Sequence, residues 1–145
     1  MCPITYNRWV IRLTPEQFVF VTERHFATFA TLRADGSPHV VPVAFTWDAA
    51  RGVARVTTSA GAVKARNAAR PGPDGGAPRA AICQFDGARW ITLEGRISVS
   101  ADPAEVANAE VRYARRYTPL EASPDRVVLR LDVDRVMSSP PTAAY

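Results

Sequence analysis

Lysine is almost missing from this chain: Lys64 is the single one among 18 basic residues, and all the others are arginine. Cysteine and histidine are equally sparse. Cys2 and Cys83 lie far apart, and with only His25 and His39 beside them no set of ligands falls at metal-binding spacing. That argues against a disulfide framework and against a zinc site, and Cys83, set in an apolar run, reads as a small core residue. No apolar run approaches the length of a membrane-spanning helix. The first twelve residues, which carry Arg8 and Arg12, lack the continuous apolar segment and small-residue cleavage site of a signal peptide, so a cytoplasmic protein is expected. Gly-x-Gly-x-x-Gly, a Walker-type loop and a nucleophile elbow are all absent. Their absence removes the commonest nucleotide-binding folds and the serine hydrolases.

What is present suits one globular domain. The 145 residues are 47% hydrophobic and 22% charged, enough to bury a sizeable core. The net charge of +4 fits either nucleic acid or a small polyanion bearing phosphate or carboxylates. A nucleic-acid-binding barrel would interleave exposed aromatics with arginines on one face. Here the aromatics alternate mainly into apolar faces, so no nucleic-acid partner is expected, and no membrane partner either.

Thr14-Pro15-Glu16-Gln17 predicts a helix start, with a hydroxyl cap, proline at the first position and Gln17 closing a capping box, and the helix should reach about Arg24. Residues 26–33 read as a strand and Asp35-Gly36 as a hairpin turn. The strand over 39–48 is apolar at both parities, which calls for cover on both faces, and Pro42 within it implies a bulge or a free edge. A third strand, 53–59, leads to a short helix over 62–70, and the Pro- and Gly-rich stretch 71–78 predicts a mobile loop. Strands over 79–85 and 90–99 follow, the latter with Ile91, Leu93, Gly95, Ile97 and Val99 on one side and Trp90, Thr92, Glu94, Arg96 and Ser98 on the other. Asp102-Pro103-Ala104-Glu105 opens a helix to about Tyr117, with Glu105 expected to close a second capping box. A last strand spans 126–136. The prediction is a mainly β fold: a six-stranded antiparallel split barrel with peripheral helices, built as an N-terminal arm (1–13), a barrel domain (14–137) and a flexible tail (138–145).

The segment most charged with chemistry is 57–67. A strand ends in Thr57, Thr58 and Ser59, passes through Gly61 and enters a helix that carries Lys64. Hydroxyls, free backbone N–H groups and an ammonium together make an anion site. The residues equally allow Ser59 simply to cap the helix with Lys64 solvated, and both readings stay open. Trp90 at a strand start is suited to stacking on a planar ring, covering a subunit interface or packing under a loop. His39 has no carboxylate partner in view, and His25 is expected at a helix end, favoured by the helix dipole.

The run ERHFATFATLRADGSPHVVPV at 23–43 resembles the opening of the split β-barrel flavin and deazaflavin oxidoreductases, the pyridoxamine 5'-phosphate oxidase-like superfamily. TTSAGAVKARN at 57–67 resembles that family's cofactor-phosphate loop, and ARWITLEGR at 88–96 resembles one of its strands. VRYARRY at 111–117 and the closing strand resemble its mycobacterial branch that reduces biliverdin with the deazaflavin coenzyme F420. The resemblance implies a cytoplasmic homodimer with two cofactor sites at the subunit interface. It implies F420, or alternatively FMN, held at its phosphate by Thr57, Thr58, Ser59, Lys64 and Asn67. The backbone of His39, Val41, Pro42 and Val43 would meet the ring edge, and Trp90 would reach over from the partner subunit. It further implies hydride transfer from reduced deazaflavin to a conjugated small molecule, with a tetrapyrrole such as biliverdin as candidate substrate. An FMN-dependent oxidase or reductase and a non-catalytic cofactor-binding protein are the alternatives on the same barrel. The resemblance names no catalytic side chain and no metal. The arm 1–12 and the loop 71–78 look like departures from the family pattern.

Overall fold

The computed structural model of the chain describes residues 10–141. Seven antiparallel strands and three helices follow one another as α1 (Pro15–Thr22), β1 (Ala27–Leu32), β2 (Pro38–Val43), β3 (Phe45–Asp48), β4 (Val53–Ser59), α2 (Val63–Ala69), β5 (Arg79–Asp86), β6 (Arg89–Ser100), α3 (Pro103–Arg116) and β7 (Arg126–Ser138). The strands form one sheet in the order β2-β1-β5-β6-β7-β4-β3. Its two end strands are consecutive in the chain, separated only by Ala44, so the sheet must curl until its ends nearly meet. The result is a half-barrel with its core inside the curl.

The seventh strand corrects the expected count of six. The single strand predicted over 39–48 breaks at Ala44, because its first half pairs with β1 and its second half with β4. One straight strand cannot serve both ends of a curled sheet. Pro42, which has no N–H to give, sits on the free edge that it predicts. Cover on both faces holds for β3, where Phe45 is buried on one side and Thr46 and Asp48 on the other. On β2 the outer face is open in the single chain, with Val40 exposed.

The core is filled by alternation. Ile91, Leu93 and Ile97 of β6 interleave with Leu129, Leu131 and Val133 of β7, over Phe29, Phe45 and Ile82. Gly95 lies at a register shift between β6 and β7, where a Cβ would stand 1.9 Å from the Asp132 carbonyl oxygen. Only glycine lets the two backbones approach so closely. Cys83 is not a core residue: on β5 the inward positions fall to Ala80, Ile82 and Gln84, and Cys83 faces outward beside Thr28 and Thr92. Gln84, fully buried, donates its amide to the Phe20 carbonyl at 2.8 Å and so fastens α1 to the barrel.

Both ends of α1 are legible in its hydrogen bonds. Thr14 and Gln17 form the complete capping box, while the helix stops at Thr22, short of Arg24. His25 therefore lies beyond the helix and bonds the Glu23 carboxylate at 3.0 Å. On α3, Asp102 caps as predicted, but Glu105 turns away to pair with Arg130 at 2.9 Å, so the second box closes by half. The loop 71–78 is tied down, with Asp74 held by both Arg96 nitrogens and Gly72 bonded to Gly76. β7 runs on to Ser138, and Ser139 bonds back to Trp90. Ile11 and Leu13 pack on the core, and Val10 approaches Gly52. Cys2, Arg8 and the rest of 1–9, with 142–145 of the predicted tail, lie outside the described residues.

One ionic cluster and one buried arginine seat α3. Asp48, buried in β3, accepts from Arg55 at 2.8 Å, meets Arg112 of α3 at 3.3 Å and takes the N–H groups of Ala50 and Arg51. Burial works to raise its carboxyl, but the Arg55 hydrogen bond and the Arg112 and Arg55 charges outweigh it and hold the group below its ordinary value. Arg116 closes one barrel end, donating to the carbonyls of Glu23 and Phe45 and to Gln84, with its guanidinium over the Phe45 ring. Burial pushes Arg116 below, and its neighbour Tyr117 above, their ordinary values.

Candidate cofactor site

Where β4 ends, the half-barrel opens into a cavity of about 310 Å³. One wall is the β2–β3 junction, Pro42 to Ala44. The floor is Val56 to Ser59, the end of β4, with Lys64 from the first turn of α2 beside it. Tyr113 of α3, Leu120 and Ser123 of the following loop, and Arg126 at the start of β7 complete it. The register explains the convergence. Ser59 pairs with Arg126 and Thr58 with Val127, and the Ala60 N–H bonds the Asp125 carbonyl, so the last turn of β4 is held against the first residue of β7.

The structure bears on the capping reading of this segment. The cap of α2 is Ala62, with no side-chain hydrogen bond, so Ser59 does not cap it. Among the described residues, no protein group bonds the hydroxyls of Thr57, Thr58 or Ser59, and no carboxylate stands within 4.0 Å of Lys64. Lys64 is nonetheless half-buried. A partly buried ammonium without a counter-ion among the described residues lines the same cavity as three uncommitted hydroxyls, a set that could donate to an external anion. A phosphate fits it: the group needs several donors and one balancing charge, and the cavity offers both.

Of the residues singled out in the sequence, Thr57, Thr58, Ser59, Lys64, Pro42 and Val43 come together here. Asn67 does not. It is buried under the sheet, donating to the Thr31 hydroxyl at 3.0 Å and accepting from Arg70 at 3.2 Å. His39 and Val41 lie farther along β2, opposite Thr31 and Phe29, and the buried Nδ1 of His39 has no partner among the described residues. Trp90 stands elsewhere, 38% exposed at the start of β6, on a second cavity of about 500 Å³ between α1 and the end of β7. Sequence reasoning missed Tyr113, Leu120, Ser123 and Arg126. Only the β4–β7 register could have brought Arg126 to Ser59, although Tyr113 stood in a segment already noted.

Outside the cavity, Glu23, His25 and Asp86 come within 4.8 Å of one another. Arg89 bridges the two carboxylates at 3.1 and 2.7 Å and lies over the Phe20 ring, so part of the negative charge there is already balanced. The Arg89 and His25 hydrogen bonds hold the Glu23 carboxyl below its ordinary value.

Residues 13–139 match the family model described as pyridoxamine 5'-phosphate oxidase. An F420H(2)-dependent biliverdin reductase of Mycobacterium tuberculosis is 47% identical over 128 residues, covering 88% of this chain and 89% of the relative. Among solved structures, a conserved hypothetical protein from Mycobacterium tuberculosis superposes with a TM-score of 0.71 at 22% identity, covering 97% of this chain and 98% of that one. An F420 reductase superposes with a TM-score of 0.62 at 24% identity, covering 82% and 94%. A family match over most of its length, and a curled antiparallel half-barrel that opens beside Lys64, make this chain a member of the pyridoxamine 5'-phosphate oxidase family.

Proposed function

We propose that this protein is an F420-dependent oxidoreductase that reduces a conjugated small molecule. One observation carries the reading: the cavity at the end of β4 keeps Lys64, Thr57, Thr58 and Ser59 without protein acceptors among the described residues. The relative 47% identical to this chain is named for F420. F420, when bound and reduced, supplies a hydride.

The residues have separable tasks. Lys64 balances the phosphate charge, and the three hydroxyls donate to its oxygens. β2, at the end of the sheet, has a backbone edge without a strand partner, and that edge offers N–H and C=O groups to the polar rim of a flat ring. Val43 and Ala44 set the plane on which the ring lies. The unit that does this is 14–137.

Catalysis requires a homodimer in this reading. The outer sheet face carries Val40, Ala30 and Ala81 in one row and Pro42, Thr28, Cys83 and Thr92 in the next, with Phe26 and Phe85 70% and 58% exposed beside them. An apolar sheet face of this kind suits a second copy. Pro42 belongs to both that face and the cavity, so a partner seated there would complete the cavity, with its own Trp90 as the stacking residue. The arginine surplus suits the anionic tail of F420 and the propionates of a tetrapyrrole such as biliverdin. No helix of the described residues is long and apolar enough to cross a membrane. An enzyme that depends on a diffusible reduced cofactor would work in the cytoplasm.

Titration with F420 and with FMN tests the cofactor. Tight F420 binding and weak FMN binding support the reading; the reverse makes the protein an FMN enzyme. Stopped-flow oxidation of bound reduced F420 by biliverdin then tests catalysis, and binding without substrate-dependent oxidation would make it a carrier.

A further inference from the structure

The two cations of the cavity are not equivalent. Arg126 is only 12% exposed, and its charge is already committed: Nη1 donates to Glu110 Oε2 at 3.1 Å and Nη2 to the Glu121 carbonyl at 2.8 Å. Glu110 comes from α3, three residues before the cavity-lining Tyr113. Of the other acids nearby, Asp125 accepts from the Ser123 hydroxyl at 2.8 Å, and both Asp125 and Glu121 are exposed. Lys64 is left as the cavity's unbalanced charge among the described residues. Arg126 Nε has no protein acceptor there, so Arg126 can still offer an N–H to a ligand without offering a net charge.

We infer that Glu110, by neutralising Arg126, sets this cavity to take a singly charged phosphodiester and to discriminate against a doubly charged phosphomonoester. The inference rests on the phosphate reading of the site. A phosphomonoester carries about −1.5 to −2 at neutral pH, with its second pKa near 6, whereas a diester carries one charge. Moving the second charge out of water needs a second available cation, and the carboxylate behind Arg126 opposes it. F420 is attached through a phosphodiester and FMN ends in a monoester. Glu110 is therefore a specificity-determining residue that need not touch either cofactor.

FMN and its monomethyl phosphate ester share ring and ribityl chain and differ in this charge. Their affinities are measured by fluorescence quenching for the wild type, E110Q and K64A. At about pH 7.5 the wild type should favour the ester by about tenfold or more, and at about pH 5, where FMN is mostly a monoanion, the preference should vanish. E110Q should tighten FMN by about tenfold and the ester by less than about threefold. Equal affinities of the wild type at the higher pH, E110Q shifting both ligands equally or neither, or no binding of the ester at all would overturn the inference. The wild-type pH comparison decides the matter even if E110Q does not fold. K64A separates the two levels: weakening of both ligands upholds the phosphate site whatever Glu110 does, whereas unchanged affinity for both removes that site and the inference with it.

Discussion

Ser59 and Arg126 are register partners at the end of the β4–β7 ladder, and beyond them the Ala60 N–H still bonds the Asp125 carbonyl. That pairing builds the cavity, because it sets the hydroxyl run of β4 beside the first residue of β7, with Lys64 of α2 alongside.

Lys64→Ala should weaken F420 binding by about ten- to a hundredfold, the equivalent of one charge-assisted hydrogen bond at about 1.5–3 kcal/mol. The folded state should lose less than about 0.5 kcal/mol, since Lys64 bonds no protein group among the described residues. Cofactor titration and urea unfolding of the same preparation check both.

Trp90→Ala should lower F420 affinity roughly tenfold while leaving the unfolding midpoint nearly unchanged. The ring is 38% exposed and lies away from the cavity beside Lys64. Equal affinity in the variant would make Trp90 a packing residue only.

Asp48→Asn should destabilise the fold by about 3 kcal/mol, because it leaves buried Arg55 without its counter-charge and releases Arg112. The pH dependence has a fixed sign. The folded carboxyl lies below its ordinary value of 3.8, so its stabilisation is complete above that value and is lost as pH falls through the lower, folded one. Urea midpoints measured against pH should show wild type and variant converging in acid.

Gly95→Ala should cost about 3 kcal/mol or more, since the new Cβ would have to displace the Asp132 carbonyl at the β6–β7 crossing. Thermal unfolding reads this directly, and a loss under about 1 kcal/mol would mean that the two strands separate easily.

If the proposed dimer forms through the β2 face, Val40→Arg should leave a monomer and abolish cofactor binding together, because that exposed face adjoins the cavity at Pro42. Sedimentation and titration on one sample check the coupling.

Much of this was legible in the residues because the signals were local. The Thr14–Gln17 box, the alternation of β6 and the Thr57–Lys64 segment each declare themselves within a few positions. What escaped depends on pairing across the sheet. The break at Ala44 exists only because β2 and β3 close opposite ends of a curled sheet, which no property of residues 39–48 alone requires. Cys83, expected in the core, faces outward because β5 parity is set by its neighbours, and the buried amide of Gln84 is tolerated where the Phe20 carbonyl meets it. Arg126 looked like one arginine among many until the register set it against Ser59. Asn67, adjacent to the site in sequence, belongs to the packing beneath it.

The most direct measurement is F420 titration of the wild-type protein and Lys64→Ala side by side. Tight, saturable binding to the first and a loss of about tenfold or more in the second is the predicted result. Identical affinities, or binding of FMN alone, would contradict it.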